Sequence, residues 1–208
     1  AADKVSMPLE LRAYQSTALL YRQTYDGGFE MHCTATAFEK VTGGYLFVTA
    51  AHCTAKDDVS HERVEIEKAR FYITYDETGD KKFLPATVKM AGYQHNGDDF
   101  SILEVKTDQN FIVMPLGDET LESVGSAVIN CASPQGLGKQ LFHGWISSMR
   151  IDRPVQEGDI NWQDAMFLQI ELGPGSSGST VIAVDQSAVI AFIVGHIEQN
   201  AVAIPVGR

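Results

Sequence analysis

Residues 173–180 read GPGSSGST, and the rest of the chain is best interpreted outward from this stretch. Apolar residues flank it, FLQI at 167–170 and VIAV at 181–184, which predicts a tight turn between two β-strands. Glycine permits backbone conformations that other residues avoid, and successive N–H groups of such a turn can point at one anion. The stretch is therefore either an ordinary Gly/Ser loop or a turn that presents a serine beside N–H donors.

Short apolar runs separated by turn signals fill most of the chain. About a dozen of these runs have the composition of strands. Turn signals such as DGG at 26–28 and TGG at 42–44 lie between them. Only residues 57–69 carry charged residues at a spacing that favours a helix. The pattern predicts an all-β, antiparallel fold, either closed into barrels or folded as a sandwich, whose two subdomains meet near residues 115–123.

The expected domain limits follow from this division. Residues 1–15 form an N-terminal arm, either a short helical turn or an extended segment. Residues 16–115 form the first β unit, and residues 116–208 form the second.

The composition is that of a folded, acidic protein. The 27 acidic and 16 basic residues give a formal charge of −11, which predicts that nucleic acids and anionic membranes are not partners. No apolar stretch approaches the roughly 18 residues that span a bilayer. The three cysteines, Cys33, Cys53 and Cys131, form no CxxC pair, so neither a metal site nor a cofactor is expected.

Two further stretches carry chemically active side chains. Residues 48–53, VTAAHC, deliver His52 at the exit of a predicted strand, where a lone histidine is usually structural or solvated. Residues 98–103, DDFSIL, place two aspartates at the entry of another strand, where an aspartate commonly caps a turn. Nucleophilic catalysis by serine requires a base, a carboxylate that orients the base, and N–H donors for the oxyanion. The three stretches supply each role once.

Taken together, the three stretches resemble the His, Asp and Ser motifs of trypsin-like serine peptidases, in the same chain order. Segments at 123–129, 134–138, 143–148 and 203–205 are similar to bacterial HtrA-like and glutamyl-endopeptidase-like members. The chain ends where the peptidase domain of those members would end, so no PDZ domain is expected.

This resemblance implies a chymotrypsin-like fold of two six-stranded antiparallel β-barrels with the active site in the cleft between them. It implies that Ser177 is the nucleophile, that His52 is the general base and that Asp99 orients His52. Asp98 is the rival carboxylate, but the register of the following FSIL sequence favours Asp99.

The resemblance also implies an oxyanion hole. It would consist of the backbone amides of Gly175 and Ser177, with Ser176 between them shaping the turn. Ser176 stands where digestive members of the family carry an aspartate that pairs with a newly cut N-terminus. Activation by that ion pair is therefore not expected.

Substrate preference is expected to depend on Glu171, Val194, Gly195 and His196. Glu171 takes the place of the acidic base of the primary pocket in trypsin-type relatives, so cleavage after Lys or Arg is one hypothesis. A glutamate that faces solvent from a strand edge is the other. His196 is out of the Gly-x-His register of glutamyl endopeptidases and 3C proteases, and it could line the pocket, narrow it or be exposed.

Cys33 and Cys53 resemble the family's disulfide beside the catalytic histidine. We expect a bridge if the protein is exported and two thiols if it is cytoplasmic. Cys131 is expected to be a buried core residue. The start at Ala1, without methionine, fits removal of a leader or a cloning boundary, and we expect a secreted or periplasmic bacterial protein whose signal peptide has been removed.

These features predict a serine endopeptidase that acts on polypeptides and is most simply a monomer. The alternative is a catalytically silent relative that keeps the fold for binding, because the geometry of an oxyanion loop cannot be read from sequence. Esterase activity on other acyl groups is a third interpretation, since the same triad serves acyl transfer generally.

Overall fold

The computed structural model describes residues 7–23, 28–54, 56–57, 63–64, 71–74, 83–92, 98–133, 138–149, 155–157, 160–162, 164–171 and 176–207. The helical segments are α1 (Leu9–Ser16), α2 (Ala51–Thr54) and a 3₁₀-helix (Glu119–Leu121). The strands are β1 (Thr17–Gln23), β2 (Phe29–Val41), β3 (Gly44–Thr49), β4 (Lys56–Asp57), β5 (Arg63–Val64), β6 (Phe71–Thr74), β7 (Leu84–Ala91), β8 (Ser101–Lys106), β9 (Ala127–Ala132), β10 (Gln140–Ser148), β11 (Val155–Glu157), β12 (Ile160–Trp162), β13 (Met166–Gln169), β14 (Thr180–Ala183), β15 (Ala188–Ile197) and β16 (Asn200–Pro205).

Twelve of these strands close into two six-stranded antiparallel barrels. The first barrel has the strand order β1-β2-β3-β8-β7-β6, and the second has the order β10-β13-β16-β15-β14-β9. Two short hairpins, β4 with β5 and β11 with β12, are separate from the barrels. The predicted double barrel is therefore confirmed.

Alternating side chains explain how each barrel fills its interior. In β8, Ser101, Leu103 and Val105 are buried, whereas the residues between them are only partly buried. Leu103 lies opposite Phe47 of β3, so apolar residues of neighbouring strands meet on the same face. The second barrel is filled in the same way, with Ile146, Met166, Leu168 and Ile190 in one buried cluster.

A third apolar cluster joins the two barrels. Val48 comes from the first barrel, Ile129 and Ile182 come from the second, and Met114 comes from the connection between them. Ala13 of α1 is also fully buried in this cluster. The N-terminal segment thus forms a helix, one of its two expected conformations, and it packs into the seam between the barrels.

Lys139 ties α1 to the second barrel. Its side chain is 9% exposed, and Nζ donates hydrogen bonds to the carbonyl oxygens of Tyr14 at 2.9 Å and Thr17 at 3.1 Å. The same Nζ lies 4.4 Å from the centroid of the Tyr14 ring. The Tyr14 carbonyl also accepts the N–H of Thr17 at the end of α1, so Lys139 adds a second, charged donor at this end of the helix.

The helix favoured for residues 57–69 is wrong at the positions that the structure describes. Lys56 pairs with Val64 and Asp57 with Arg63, which makes a short antiparallel hairpin. The charged residues recur at helical spacing, but the stretch has few apolar residues with which a helix could pack, so strand pairing determines the local structure. Within the described ranges, no helix is long and apolar enough to cross a bilayer.

Candidate active site

His52 and Asp99 are brought together by the pairing of two strands. Thr49, at the end of β3, lies opposite Ser101, at the start of β8. In an antiparallel pair, the residues that follow Thr49 therefore meet those that precede Ser101. The backbone N–H of His52 donates to Asp99 Oδ1 at 2.9 Å, and the ring Nδ1 lies 2.7 Å from Asp99 Oδ2.

The side chains of Asp99 and His52 differ in their exposure to solvent. The Asp99 side chain is 0% exposed and the His52 side chain is 23% exposed. A carboxylate accepts from an N–H, so the bond assigns the ring proton to Nδ1 and leaves the lone pair on Nε2. Behind the pair, Thr54 Oγ1 and Ser101 Oγ are 2.6 Å apart and link α2 to β8.

The turn that contains Ser177 is closed by its own hydrogen bonds. The N–H and the hydroxyl of Ser179 both donate to the carbonyl of Ser176, at 3.1 Å and 2.5 Å. Gly178 donates its N–H to Ile193 of β15 at 3.1 Å and has a φ of 83°. Few residues other than glycine adopt this φ, so the turn requires glycine directly after Ser177.

The same turn lies against the first barrel. Thr34 of β2 donates its N–H to the carbonyl of Ser177 at 3.1 Å. A Cβ placed on Gly178 would lie 2.2 Å from Thr49 Oγ1 and 2.4 Å from the carbonyl oxygen of Thr34. The sulfur of Cys53 is 3.9 Å from the carbonyl oxygen of Ser177. Ser177 is therefore held next to the strand and helix that position His52.

Two predicted features of the active site stay predictions: the proton transfer from Ser177 to His52 and the oxyanion hole. Across the residues that the structure describes, no hydrogen bond joins the Ser177 hydroxyl to His52, so the step that transfers its proton is a proposal. Gly175 lies outside the described residues. The structure describes the other two residues of the predicted oxyanion hole: Ser176 is 3% exposed and Ser177 is half-buried.

A disulfide lies beside the histidine. Cys33 of β2 and Cys53 of α2 are bonded, with sulfur atoms 2.02 Å apart, so of the two expected forms the structure has the bridged one. Cys131 is 1% exposed and takes no part in that bridge, as expected for a core residue.

A cavity of about 750 Å³ opens beside Ser177. Three of the four predicted specificity residues, Glu171, Gly195 and His196, line it, and Glu171 and His196 are exposed. Val194 is not among the lining residues, because it is 3% exposed and packs in an apolar cluster with Trp162.

Sequence reasoning missed several residues that line this cavity. Trp145 is 53% exposed and lies opposite Gln169 in the β10–β13 pair. Gln169 Nε2 donates to Asn200 Oδ1 at 3.1 Å, which links β13 to β16. The other lining residues absent from the prediction are His143, Ile170, Ile193, Glu198, Gln199 and Ala201. Two-residue alternation along β10, which puts His143 and Trp145 on one face, was the available signal.

Comparisons with known proteins relate this arrangement to one family. Residues 33–191, more than half of the chain, match the family model described as Trypsin-like peptidase domain. No curated protein matches the sequence. Among solved structures, an HtrA-type protease, AlgW with a tripeptide, is 19% identical with a TM-score of 0.70, over 96% of this chain and 59% of that chain. Deg5 is 16% identical with a TM-score of 0.70, over 96% of this chain and 87% of Deg5. The present chain thus spans about three fifths of the AlgW chain.

Proposed function

The chain belongs to the family of trypsin-like peptidase domains, and from this premise we propose that it is a serine endopeptidase with Ser177, His52 and Asp99 as its triad. The observation that carries the proposal is the double hydrogen bond between the buried Asp99 carboxylate and His52. It leaves Nε2 as the basic atom of a side chain that is 23% exposed.

In the proposed mechanism, the Ser177 hydroxyl attacks the carbonyl carbon of the scissile peptide bond while His52 Nε2 takes its proton. Asp99 stabilises the imidazolium through the hydrogen bond at Nδ1. His52 then gives the proton to the departing amine, which leaves an acyl ester on Ser177. Water attacks this ester with His52 again as the base, and the acid product and the free Ser177 hydroxyl are released.

The developing oxyanion is proposed to accept hydrogen bonds from the backbone N–H groups of Ser177 and Gly175. Loss of one such donor typically costs about 2.7–4 kcal/mol of transition-state stabilisation. The hydrogen bonds from Ser179 to the Ser176 carbonyl support this role, because they fix the backbone between the two proposed donors.

The substrate class is proposed to be polypeptide. The related AlgW protease was solved with a tripeptide and with a decapeptide. The open cavity next to Ser177 can accept one side chain of an extended peptide, and Glu171 and Glu198 both line it. Two carboxylates favour a cationic side chain, so we propose cleavage after Lys or Arg.

This specificity is tested with a peptide library and with Glu171→Gln. We expect the ratio of kcat/KM for Lys over Gln at the cleaved residue to fall by at most about fivefold in Glu171→Gln, because Glu171 is exposed and an ion pair of an exposed carboxylate contributes at most about 1 kcal/mol. No preference for basic residues in the wild-type protein would remove the proposal.

The disulfide supports a proposed location. Because disulfides persist in oxidising compartments, we propose that the protein is secreted or periplasmic. Fractionation of the producing cells tests this proposal, and recovery of the protein only from the cytoplasm would contradict it.

Catalysis itself is tested with a fluorophosphonate probe, which reacts with activated serines. We expect labelling of the wild-type protein, complete loss in Ser177→Ala, and unchanged labelling in Ser123→Ala, which removes an exposed serine. Labelling together with casein hydrolysis supports an endopeptidase, whereas labelling without hydrolysis supports an esterase or a narrow peptidase. Absence of labelling in the folded wild-type protein would favour the silent binding module.

A further inference from the structure

Three side chains that commonly bind transition metals meet at the candidate active site. The sulfur atoms of Cys33 and Cys53 and a ring nitrogen of His52 all lie within 4.8 Å of one another. The two cysteines are 20 residues apart, so no short metal-binding motif in the sequence shows this cluster. The cluster forms because Cys33 of β2 is bonded to Cys53 of α2, the residue after His52. In the oxidised protein the two sulfurs are joined in a disulfide, and only reduction makes them available as thiolates.

We propose that reduction of the Cys33–Cys53 disulfide creates a zinc site made of the two thiolates and His52 Nε2, and that Zn²⁺ bound there switches the peptidase off. The inhibition rests on the proposed function. Metal binding does not, because it requires only the three ligands.

The chemistry of the switch balances with a dithiol as the reductant. The dithiol supplies two electrons and two protons to the S–S bond and becomes a disulfide itself, and Cys33 and Cys53 become thiols. Zn²⁺ then displaces the two thiol protons to solvent and forms two Zn–S bonds and one Zn–N bond. Water occupies the fourth position, and the two thiolates neutralise the charge of the ion.

The distances are compatible with a tetrahedral site. Zn–S bonds of about 2.3 Å and Zn–N bonds of about 2.0 Å place neighbouring ligand atoms roughly 3.5–3.8 Å apart. One ring nitrogen of His52 lies within 4.8 Å of both sulfurs in the oxidised protein, so the imidazole is already next to the two proposed thiolate ligands. The sulfurs separate when their bond is broken, which moves them toward the spacing that zinc requires.

The surroundings favour His52 as a ligand. A metal-binding histidine usually donates its other ring N–H to a carboxylate, which orients the ring and raises its basicity. Asp99 Oδ2 already lies 2.7 Å from Nδ1, so Nε2 has the free lone pair. The side chain of His52 is 23% exposed and gives the ion a path from solvent, whereas Cys33 and Cys53 are 3% and 0% exposed.

The ligand set selects the metal. Two thiolates and one imidazole are soft to borderline ligands that suit Zn²⁺, and they disfavour Mg²⁺ and Ca²⁺, which prefer oxygen. Zinc on Nε2 uses the same lone pair that must take the Ser177 proton. Metal binding and general-base catalysis are therefore mutually exclusive.

The metal site is tested in the Ser177→Ala protein, which cannot digest itself. The protein is reduced with dithiothreitol, desalted without oxygen and titrated with Co²⁺. We expect one Co²⁺ per chain, with a thiolate-to-cobalt charge-transfer band and the visible spectrum of a tetrahedral site, and displacement by Zn²⁺. Near-UV circular dichroism shows whether the reduced protein remains folded.

Three variants identify the ligands. Cys131→Ala removes a thiol outside the cluster and should give an unchanged spectrum. Cys33→Ala should abolish the two-thiolate spectrum, and His52→Ala should keep the charge-transfer band while it weakens Co²⁺ binding at least tenfold. Absence of the band in reduced, folded protein, its loss in Cys131→Ala, or unfolding on reduction would each overturn the proposed site.

The switch is tested on the wild-type protein. We expect reduced protein to lose more than nine-tenths of its peptidase activity at a Zn²⁺ concentration that leaves the oxidised protein unaffected, and to regain it with a chelator. Metal binding without inhibition would overturn the switch. If neither form cleaves peptides and the cobalt spectrum is present, the proposed function fails and the metal site stands.

Discussion

Asp99 holds His52 at two points, through the backbone N–H at 2.9 Å and through the ring Nδ1 at 2.7 Å. One carboxylate therefore fixes both the backbone of α2 and the direction of the imidazole. An aspartate at the neighbouring position would not replace it, because Asp99 is fully buried and Asp98 is only half-buried at the protein surface.

The first prediction concerns this carboxylate. Asp99→Asn should lower kcat by about four orders of magnitude, because an amide in this place favours the wrong tautomer of His52. Asp98→Asn is the matched control and should change kcat by no more than a few-fold. Steady-state kinetics on one peptide substrate compares the two, and equal losses would contradict the assignment of Asp99.

The second prediction concerns the glycine after Ser177. Gly178 and Gly125 both have positive φ, 83° and 90°, but a Cβ would clash only at Gly178. Gly125→Ala should cost about 1–2 kcal/mol from backbone strain alone. Gly178→Ala should cost roughly 2 kcal/mol more, because the methyl group has to displace the backbone of the first barrel. Urea unfolding measures both variants, and equal costs would show that the turn does not pack against Thr34 and Thr49.

The third prediction concerns the lysine under α1. Lys139→Met should destabilise the protein by about 2 kcal/mol, because the carbonyls of Tyr14 and Thr17 lose a charged donor. Lys89→Met is the control, since the Lys89 side chain is 51% exposed and lies 3.7 Å from Glu104. A surface ion pair of this kind contributes at most about 1 kcal/mol. Thermal unfolding distinguishes them, and a smaller loss for Lys139→Met than for Lys89→Met would contradict the role of Lys139 as an anchor.

The fourth prediction concerns pH. Burial, together with the nearby Asp185, raises the pKa of Glu122 above its ordinary value of 4.5. The folded state therefore binds this proton more tightly than the unfolded state, so the contribution of Glu122 to stability falls as pH rises above 4.5. Glu122→Gln should raise Tm at neutral pH and give no gain below the ordinary pKa.

The control for this prediction is Glu10→Gln, which removes an exposed carboxylate. Its effect on Tm at neutral pH should be smaller than that of Glu122→Gln. A gain for Glu122→Gln that persists at acidic pH would show that packing, and not ionisation, is the cause.

Local patterns predicted much of the fold, because strands leave a strong signal. Short apolar runs and turn residues indicated an antiparallel β fold with two subdomains, and the resemblance to a family narrowed it to two six-stranded barrels. The FSIL sequence after Asp99 favoured that carboxylate over Asp98, and the structure places Asp99 two residues before β8, next to His52. The pairing of Cys33 with Cys53 was available only through the resemblance to a family. Spacing alone would have left three possible pairings among three cysteines.

The features that sequence reasoning missed depend on contacts between distant segments. Nothing near Ala13 indicates that Lys139 will cap its helix, and nothing near Trp145 indicates that Gln169 and Asn200 will share its cavity. The hairpin of β4 and β5 was missed for the same reason, since charge periodicity describes one segment and strand pairing requires two. Val194 was named with Gly195 and His196 as one run, but the register between β15 and β16 shifts between Ile193 and Gly195, and Val194 packs in the apolar cluster with Trp162.

The contact between Thr34 and the carbonyl of Ser177 has a consequence for the order of events during synthesis. Thr34 lies in the second strand of the first barrel, and the turn of Ser177 is made only after three of the six strands of the second barrel, β9, β10 and β13. Thr36 and Thr180, with hydroxyl oxygens 3.3 Å apart, impose the same order. A nascent chain with only its first barrel folded can hold His52 and Asp99 together but has no nucleophile, so the proposed activity appears only after the two halves dock.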